Sequence, residues 1–225
     1  MIPTRNGYGE GTVEAGKKDE NVMVLCCDLT ESTRSHLFQQ AYPERFLEIG
    51  VAEQNLAGVA AGLALEGKVP FCSSYAVFNP GRNWDQVRVS VCYNNANVKI
   101  VGAHAGISVG PDGATHQALE DIAITRVLPN MVVLAPCDYE QTKKATIAAA
   151  KHVGPVYIRF GRNDNAVFTT PKTKFKIGQA QVFWSGKDVT IIGCGPLVYE
   201  ALKAARSLEK GKDKIKAEVI NVHTI

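Results

Sequence analysis

No pair of cysteines in this sequence has C-x-x-C spacing, and the six present, at 26, 27, 72, 92, 137 and 194, follow no regular interval. Most lie inside apolar runs such as Val22–Cys26, where a free thiol behaves as a small buried hydrophobe. A small disulfide scaffold is thereby excluded. An excess of charge of one sign is also missing: 25 Lys and Arg stand against 22 Asp and Glu, a net charge of only +3. The densest basic group, Lys203 to Lys216, is interrupted by Glu209 and Asp213 and reads as a solvated helix face followed by a loop. Nothing in this balance calls for nucleic acid. Long hydrophobic runs are missing as well. The stretch Leu56–Leu65 is too short for a membrane span and rich in Gly and Ala, and Met1–Gly7 lacks the apolar core of a secretory signal. These absences together describe a reduced, soluble, cytoplasmic protein with no membrane partner.

What remains is an ordinary globular composition, 45% hydrophobic over 225 residues, enough for one large α/β domain or one domain plus a fragment. Short β-branched runs alternate with longer helical patterns. The runs Val22–Cys26, Phe46–Ile49, Val69–Ser73, Val98–Ala103, Met131–Ala135 and Val156–Arg159 read as strands. Helices are predicted near 6–17, 33–41, 53–66, 82–93, 116–127 and 139–151, the last opened by a capping box from Asp138 to Gln141. Strands that are apolar throughout, each followed by a helix, predict an α/β fold: a parallel sheet with helices on both faces. This domain is expected over residues 1–165. A polar stretch with Pro171 predicts a linker over 166–186. Residues 187–225 then hold a strand (Asp188–Cys194), a helix (Leu197–Lys210) and a strand (Ala217–Val222). One βαβ unit buries too little surface to make its own core, so this is expected to be the start of a second α/β domain, truncated or completed by another chain.

Polar groups recur after the strands: Asp28 and Ser32, then Glu53, then Ser73 to Phe78, then His104, then Arg162. In an open parallel sheet the carboxyl ends of the strands share one edge, where ligands bind. Polar side chains are also the ordinary content of strand-to-helix loops, so no single one decides a site. Glu53 opens a helix in which Gly58 and Gly62 are one turn apart, a spacing that lets another backbone approach. A carboxylate there gains a few tenths to about 1 kcal/mol from the helix dipole whatever else it does.

The strongest local signal is the loop from His104 to Gln117, with glycines at 106, 110 and 113, Asp112, and histidines at both ends. Its glycines permit tight turns around a ligand, and histidines near neutral pKa flanking an acid suit hydrogen bonding and proton transfer to sugar hydroxyls. The separation of the two histidines matches no standard structural zinc spacing, so no metal site is assigned. Thr115 is a candidate N-cap. His152 and His223 read as structural, and Tyr75 and Phe78 are core residues unless their strand end borders the cleft.

Taken in order, Asp28-Leu-Thr-Glu-Ser32, Ile49-Gly-Val-Ala-Glu53-Gln, Tyr75-Ala-Val-Phe78, the loop with Gly-Pro-Asp-Gly-Ala-Thr-His-Gln, and Arg162 resemble the transketolase family of thiamin diphosphate enzymes. The resemblance covers nearly the whole chain and implies a pyrimidine-binding domain followed by the start of the family's C-terminal domain. It implies that Glu53 hydrogen-bonds the aminopyrimidine of the cofactor, that Phe78 stacks on it and that Asp28 lies near it. It further implies that Arg5, Ser32 and Arg162 bind the sugar phosphate, that His104 and Asp112 hold substrate hydroxyls, and that His116 lines the path of the transferred ketol group.

The family's Gly-Asp-Gly motif, which holds the cofactor diphosphate and Mg2+, does not occur here. The resemblance therefore implies a partner chain, the N-terminal subunit of a split transketolase, and an assembly that is a homodimer or a heterotetramer. Between Phe78 and Arg88 the sequence is one residue longer than in common members, and Pro111 stands where an acid is usual. Two related enzymes are weighed against this reading. A 1-deoxyxylulose-5-phosphate synthase usually has an acid at the position of His104, and the β subunit of 2-oxo-acid dehydrogenases lacks the two-histidine loop. A non-catalytic α/β binding module is the alternative of a different class.

Overall fold

Six parallel strands make the main sheet. The computed structural model of the chain describes residues 1–225. The chain enters through a short strand β1 (Ile2–Pro3) and helix α1 (Thr4–Lys18), then β2 (Val22–Cys26), α2 (Thr30–Thr33), α3 (His36–Ala41), β3 (Phe46–Glu48) and α4 (Glu53–Leu65). It continues through β4 (Val69–Tyr75), α5 (Trp84–Gln86), β5 (Lys99–Ala103), α6 (Asp121–Arg126), β6 (Val132–Leu134), α7 (Tyr139–Lys151) and β7 (Val156–Arg159). The strand order is β3-β2-β4-β5-β7-β6, parallel throughout. This is the α/β architecture expected from the sequence.

Strands that are apolar at every position serve two cores, because alternate side chains point to opposite faces. Val24, Phe71, Val101 and Ile158 face one core, which α1, α3 and α7 cover with Tyr8, Ala15, Phe38, Ala145 and Ala149. Leu25, Cys72, Ile100 and Tyr157 face the other, covered by α4 and a π-helical turn, Val87–Tyr93, with Leu56, Ala57, Ala60, Val87 and Val91. Helix α1 carries four glycines against helix propensity. Two of them, Gly7 and Gly11, explain the choice: a Cβ at either would run into α7.

After β7 the chain forms β8 (Asp164–Asn165), which pairs antiparallel with β1. A three-stranded sheet follows, built from β9 (Gln181–Trp184), β10 (Val189–Gly193) and β11 (Ala217–Asn221) in the order β10-β11-β9, with α8 (Leu197–Lys210) against it. Val198, Leu202, Ala205, Ala217 and Val219 are buried there with Cys137 of the first unit, so this small layer packs on the main domain. No helix is long and apolar enough to cross a membrane.

Several sequence expectations are corrected. The stretch read as linker contains β9, which pairs antiparallel with β11 and completes the second sheet. The helix expected over 33–41 breaks at Arg34, which adopts a left-handed φ of 68°. The helix expected over 82–93 starts at Trp84 and turns π-helical at Val87. The helix expected from 116 begins only at Asp121, because Ala114–His116 is a 3-10 turn followed by extended Gln117. The edge of α4 bearing Gly58 and Gly62 has nothing from this chain within 4 Å of where a Cβ would sit, so the close approach read from their spacing is not made within the chain. Asp138 does cap α7, accepting a hydrogen bond from the Gln141 N–H at 2.9 Å.

Candidate active site

Loops at the carboxyl ends of β2, β4, β5 and β7 converge on one edge of the sheet. Glu53 lies at the first turn of α4 and is 2% exposed. Its Oε1 accepts from Ser74 Oγ at 3.1 Å and its Oε2 from Arg82 Nη1 at 2.8 Å. A carboxylate this buried is tolerated because its oxygens have donors and its charge has a partner.

Beside it stands an aromatic wall. Tyr75 and Phe78 lie nearly parallel with centroids 6.3 Å apart, and His116 meets the Phe78 ring edge-on at 5.2 Å. The ring of His104 packs on Tyr75 at 4.2 Å. Tyr75 is thus both buried and part of the wall, and its hydroxyl donates to Ser32 Oγ at 3.0 Å.

Beyond Tyr75 the site turns cationic. Arg5 Nη1 donates to the Ser32 carbonyl at 3.1 Å and approaches His104 Nε2 at 3.5 Å. Burial and the neighbouring charges of Arg34 and Arg162 lower the Arg5 pKa. The same surroundings act on His104, whose pKa is pushed down to about 3, by burial first and by Arg5 and Arg162 next. The sequence reading of His104 as a group near neutral pKa is corrected accordingly: it is a neutral imidazole. The ring has both the Arg5 guanidinium and the Ser32 backbone carbonyl beside it. Its Nδ1 and the Arg5 Nε are buried with no partner in the chain.

Arg162 Nη1 donates to the Val109 carbonyl at 2.6 Å and lies 3.9 Å from Asp112 Oδ2, tying the histidine loop to the end of β7. The loop glycines 106, 110 and 113 all adopt positive φ. Thr115 does not cap a helix: its Oγ1 lies 2.8 Å from His116 Nδ1 and 3.3 Å from the Asp112 carbonyl.

Of the residues singled out in the sequence, Arg5, Ser32, His104, Asp112, Arg162, His116, Phe78 and Glu53 line this edge in one connected series of contacts. Asp28 is apart from it. It is exposed, and its backbone N–H is held by Glu48 Oε1 at 2.7 Å. Sequence reading had Ser74 only within the run Ser73 to Phe78 and missed Arg34 and Arg82. Arg34 and Arg82 owe their places to a left-handed residue and to a turn, neither of which has a periodic signal. No three His, Cys, Asp or Glu side chains come together in an arrangement able to hold a metal ion.

Residues 1–166 match the transketolase pyrimidine-binding domain and residues 178–225 the transketolase C-terminal domain. The chain belongs to the transketolase family. A Methanocaldococcus jannaschii protein named for the C-terminal section of transketolase is 48% identical over 98% of this chain and 70% of its own length. A Clostridium 6-deoxy-6-sulfo-D-fructose transketolase subunit is 41% identical over 98% of this chain and 68% of its own. Among full-length relatives, mouse transketolase is 40% identical, and the chain spans 36% of its length. A solved structure described as a split gene transketolase, inactive beta4 tetramer, superposes with a TM-score of 0.90 at 45% identity, covering 99% of this chain and 71% of that one. Membership in the transketolase family implies dependence on thiamin diphosphate, and the site offers a buried carboxylate beside an aromatic face that fit an aminopyrimidine.

Proposed function

We propose that this chain is the pyrimidine-binding subunit of a thiamin-diphosphate-dependent transketolase that moves a two-carbon ketol unit between sugar phosphates. The observation that carries the reading is the buried Glu53 carboxylate at the foot of the Phe78 wall, with the cationic pocket of Arg5 and Arg162 across Tyr75 from it. When bound, thiamin diphosphate supplies a nucleophilic carbon and an electron sink.

The chain's own residues supply binding, orientation and charge. Glu53 would share a hydrogen bond with a ring nitrogen of the aminopyrimidine and favour the tautomer in which that nitrogen carries the hydrogen, and Ser74 fixes the carboxylate that does so. Phe78 provides the stacking face. Arg5, Arg162 and Ser32, joined by Arg34, hold the terminal phosphate of the sugar through charge-assisted hydrogen bonds. His104, neutral and with Nδ1 unpartnered, hydrogen-bonds a substrate hydroxyl. Asp112 orients a further hydroxyl, and His116, edge-on against Phe78, would exchange protons with the oxygen of the transferred unit. Asp28, exposed at the end of β2 and apart from these contacts, belongs to the same proposal as a residue near the cofactor.

The diphosphate and Mg2+ are assigned to a partner, the N-terminal subunit, in a homodimer or heterotetramer. This is supported by the missing Gly-Asp-Gly motif and by the open glycine edge of α4, which suits a subunit contact. Domain limits of 1–165 and 187–225, with the 166–186 segment between them contributing β9 to the second sheet, belong to the same proposal.

Calorimetric titration of thiamin diphosphate with Mg2+ tests the reading, first into this chain alone and then into its mixture with the N-terminal subunit. Binding only in the mixture is expected. Binding to this chain alone would move the diphosphate site here, and no binding in either would leave a non-catalytic module. In the active complex, Glu53→Ala should cut turnover by a factor on the order of 100 or more. The chain should still fold, and undiminished turnover would refute the role of Glu53. His104→Asp should weaken use of ketose phosphate more than cofactor binding; equal losses would remove His104 from the substrate.

A further inference from the structure

The guanidinium of Arg82 makes two contacts at once. Its Nη1 donates to Glu53 Oε2 at 2.8 Å, and its Cζ lies 4.4 Å from the centre of the Phe78 ring. The turn that delivers it is built for the purpose. The backbone N–H of Arg82 donates to the Phe78 carbonyl at 2.9 Å, folding the side chain back over the ring it follows. Gly81 is obligatory within the turn, since a Cβ there would collide with the Val77 carbonyl.

Both flanks are pinned. Asn79 Nδ2 bonds the carbonyls of Cys72 and Val101, at the heart of the sheet. Asn83 Nδ2 bonds Asn79 Oδ1 and the backbone carbonyl of Glu53 itself. Asn79 and Asn83 are fully buried, whereas the Arg82 side chain between them is 47% exposed. Only the arginine is free to leave.

A guanidinium and an aminopyrimidine share their recognition chemistry. Each is flat, each stacks on an aromatic face, and each offers a nitrogen-bound hydrogen to a carboxylate. Two such groups compete wherever they approach the same carboxylate oxygen and the same face of the ring. We propose that Arg82 is a placeholder for the cofactor's pyrimidine: it neutralises Glu53 and covers Phe78 until the pyrimidine takes over both contacts, and loading the cofactor turns Arg82 out to solvent. The proposal rests on the reading of Glu53 and Phe78 given under Proposed function. A buried carboxylate left without a partner is costly, so the placeholder keeps the cofactor-free chain intact. The arginine end of the pair is half exposed, so its guanidinium returns to water when the pyrimidine takes its place on the buried carboxylate.

The test uses the complex with the N-terminal subunit, titrated with thiamin diphosphate and Mg2+, in wild-type, Arg82→Ala and Arg82→Lys forms. Thermal unfolding of each cofactor-free chain is followed in parallel. Removing a competitor should tighten cofactor binding about three- to tenfold in Arg82→Ala, the effect of one ion pair whose arginine is half exposed together with a cation–π contact. The melting temperature of the cofactor-free chain should fall at the same time. Arg82→Lys, which keeps the charge without the flat face, should lie between, and it carries the test if Arg82→Ala does not fold. A residue that merely braces the site would lower stability and affinity together, and equal or weaker binding in both variants overturns the proposal. A wild-type complex that takes up no thiamin diphosphate overturns the functional reading and the proposal with it.

Discussion

The ring of His104 stands among three guanidinium groups in a buried position, and both circumstances act against a proton on it. The folded-state pKa, about 3, lies below the ordinary imidazole value near 6.5. Between those two values the unfolded chain binds a proton that the folded chain does not, so stability falls as pH drops through that window. The loss approaches ~1.4 kcal/mol per pH unit for one such proton. Buried His223, also lowered by burial, adds in the same direction. Chemical denaturation of wild-type and His104→Asn chains between pH 7 and pH 4 should therefore show a shallower decline in the variant; parallel declines would contradict the neutral imidazole. Arg34 offers a second residue-scale expectation. Anchored to Asn6 Oδ1 through Nε at 2.9 Å, it adds a third cation beside Arg5. In the active complex, Arg34→Gln should raise KM for sugar phosphates about three- to tenfold, the effect of one partly exposed charge, and leave KM for an unphosphorylated acceptor unchanged. At this scale the sequence showed residue types in order, and so singled out Glu53, His104 and His116. It did not show that Arg82 and Ser74 meet at one carboxylate, which happens only when a turn and a strand bring them there.

Asp138 shows the same limit for elements. Its spacing to Gln141 announces the start of α7, and the cap is there. The other oxygen has a role that no local pattern shows: Oδ2 accepts from the N–H groups of Phe168 and Thr169, and Thr169 Oγ1 bonds Oδ1 at 2.7 Å. One buried carboxylate thereby fixes a helix start and the passage from the first sheet to the second. Asp138→Ala should cost about 2–4 kcal/mol, more than a helix cap alone at ~1 kcal/mol, because several buried donors are left without acceptors. Urea denaturation of the chain measures it, and a loss no greater than that of an ordinary cap would mean the second contact is dispensable. Strands were legible because a sheet covered on both faces demands apolar residues at every position. Helices in the loops were not, because Arg34 in a left-handed conformation and the 3-10 turn at Ala114–His116 break the period that the sequence otherwise suggests.

For the whole molecule, the two apolar faces of the main sheet are covered within the chain, while one edge of α4 is not. Gly58→Ala and Gly62→Ala meet no atom of the chain and should each stabilise it by roughly 0.5–1 kcal/mol through helix propensity. If that edge receives a subunit, the same changes should weaken assembly. Thermal unfolding and sedimentation of the double variant separate the two effects, and unaltered assembly would remove α4 from the contact.

The histidine loop has a further consequence. Its neck is closed by the Ala105 N–H on the Phe160 carbonyl and the Gly106 N–H on the Ala118 carbonyl, at 3.1 and 2.8 Å. Just past it, Asp121 Oδ2 holds the Tyr157 hydroxyl and Arg159 Nε, both at 2.8 Å. The span between, with Ile107 74% exposed, is thus a hoop whose two feet are fastened independently. A protease that nicks the hoop should yield two fragments on a denaturing gel that still travel as one particle under native conditions, with the severed histidines His104 and His116 each held by its own foot.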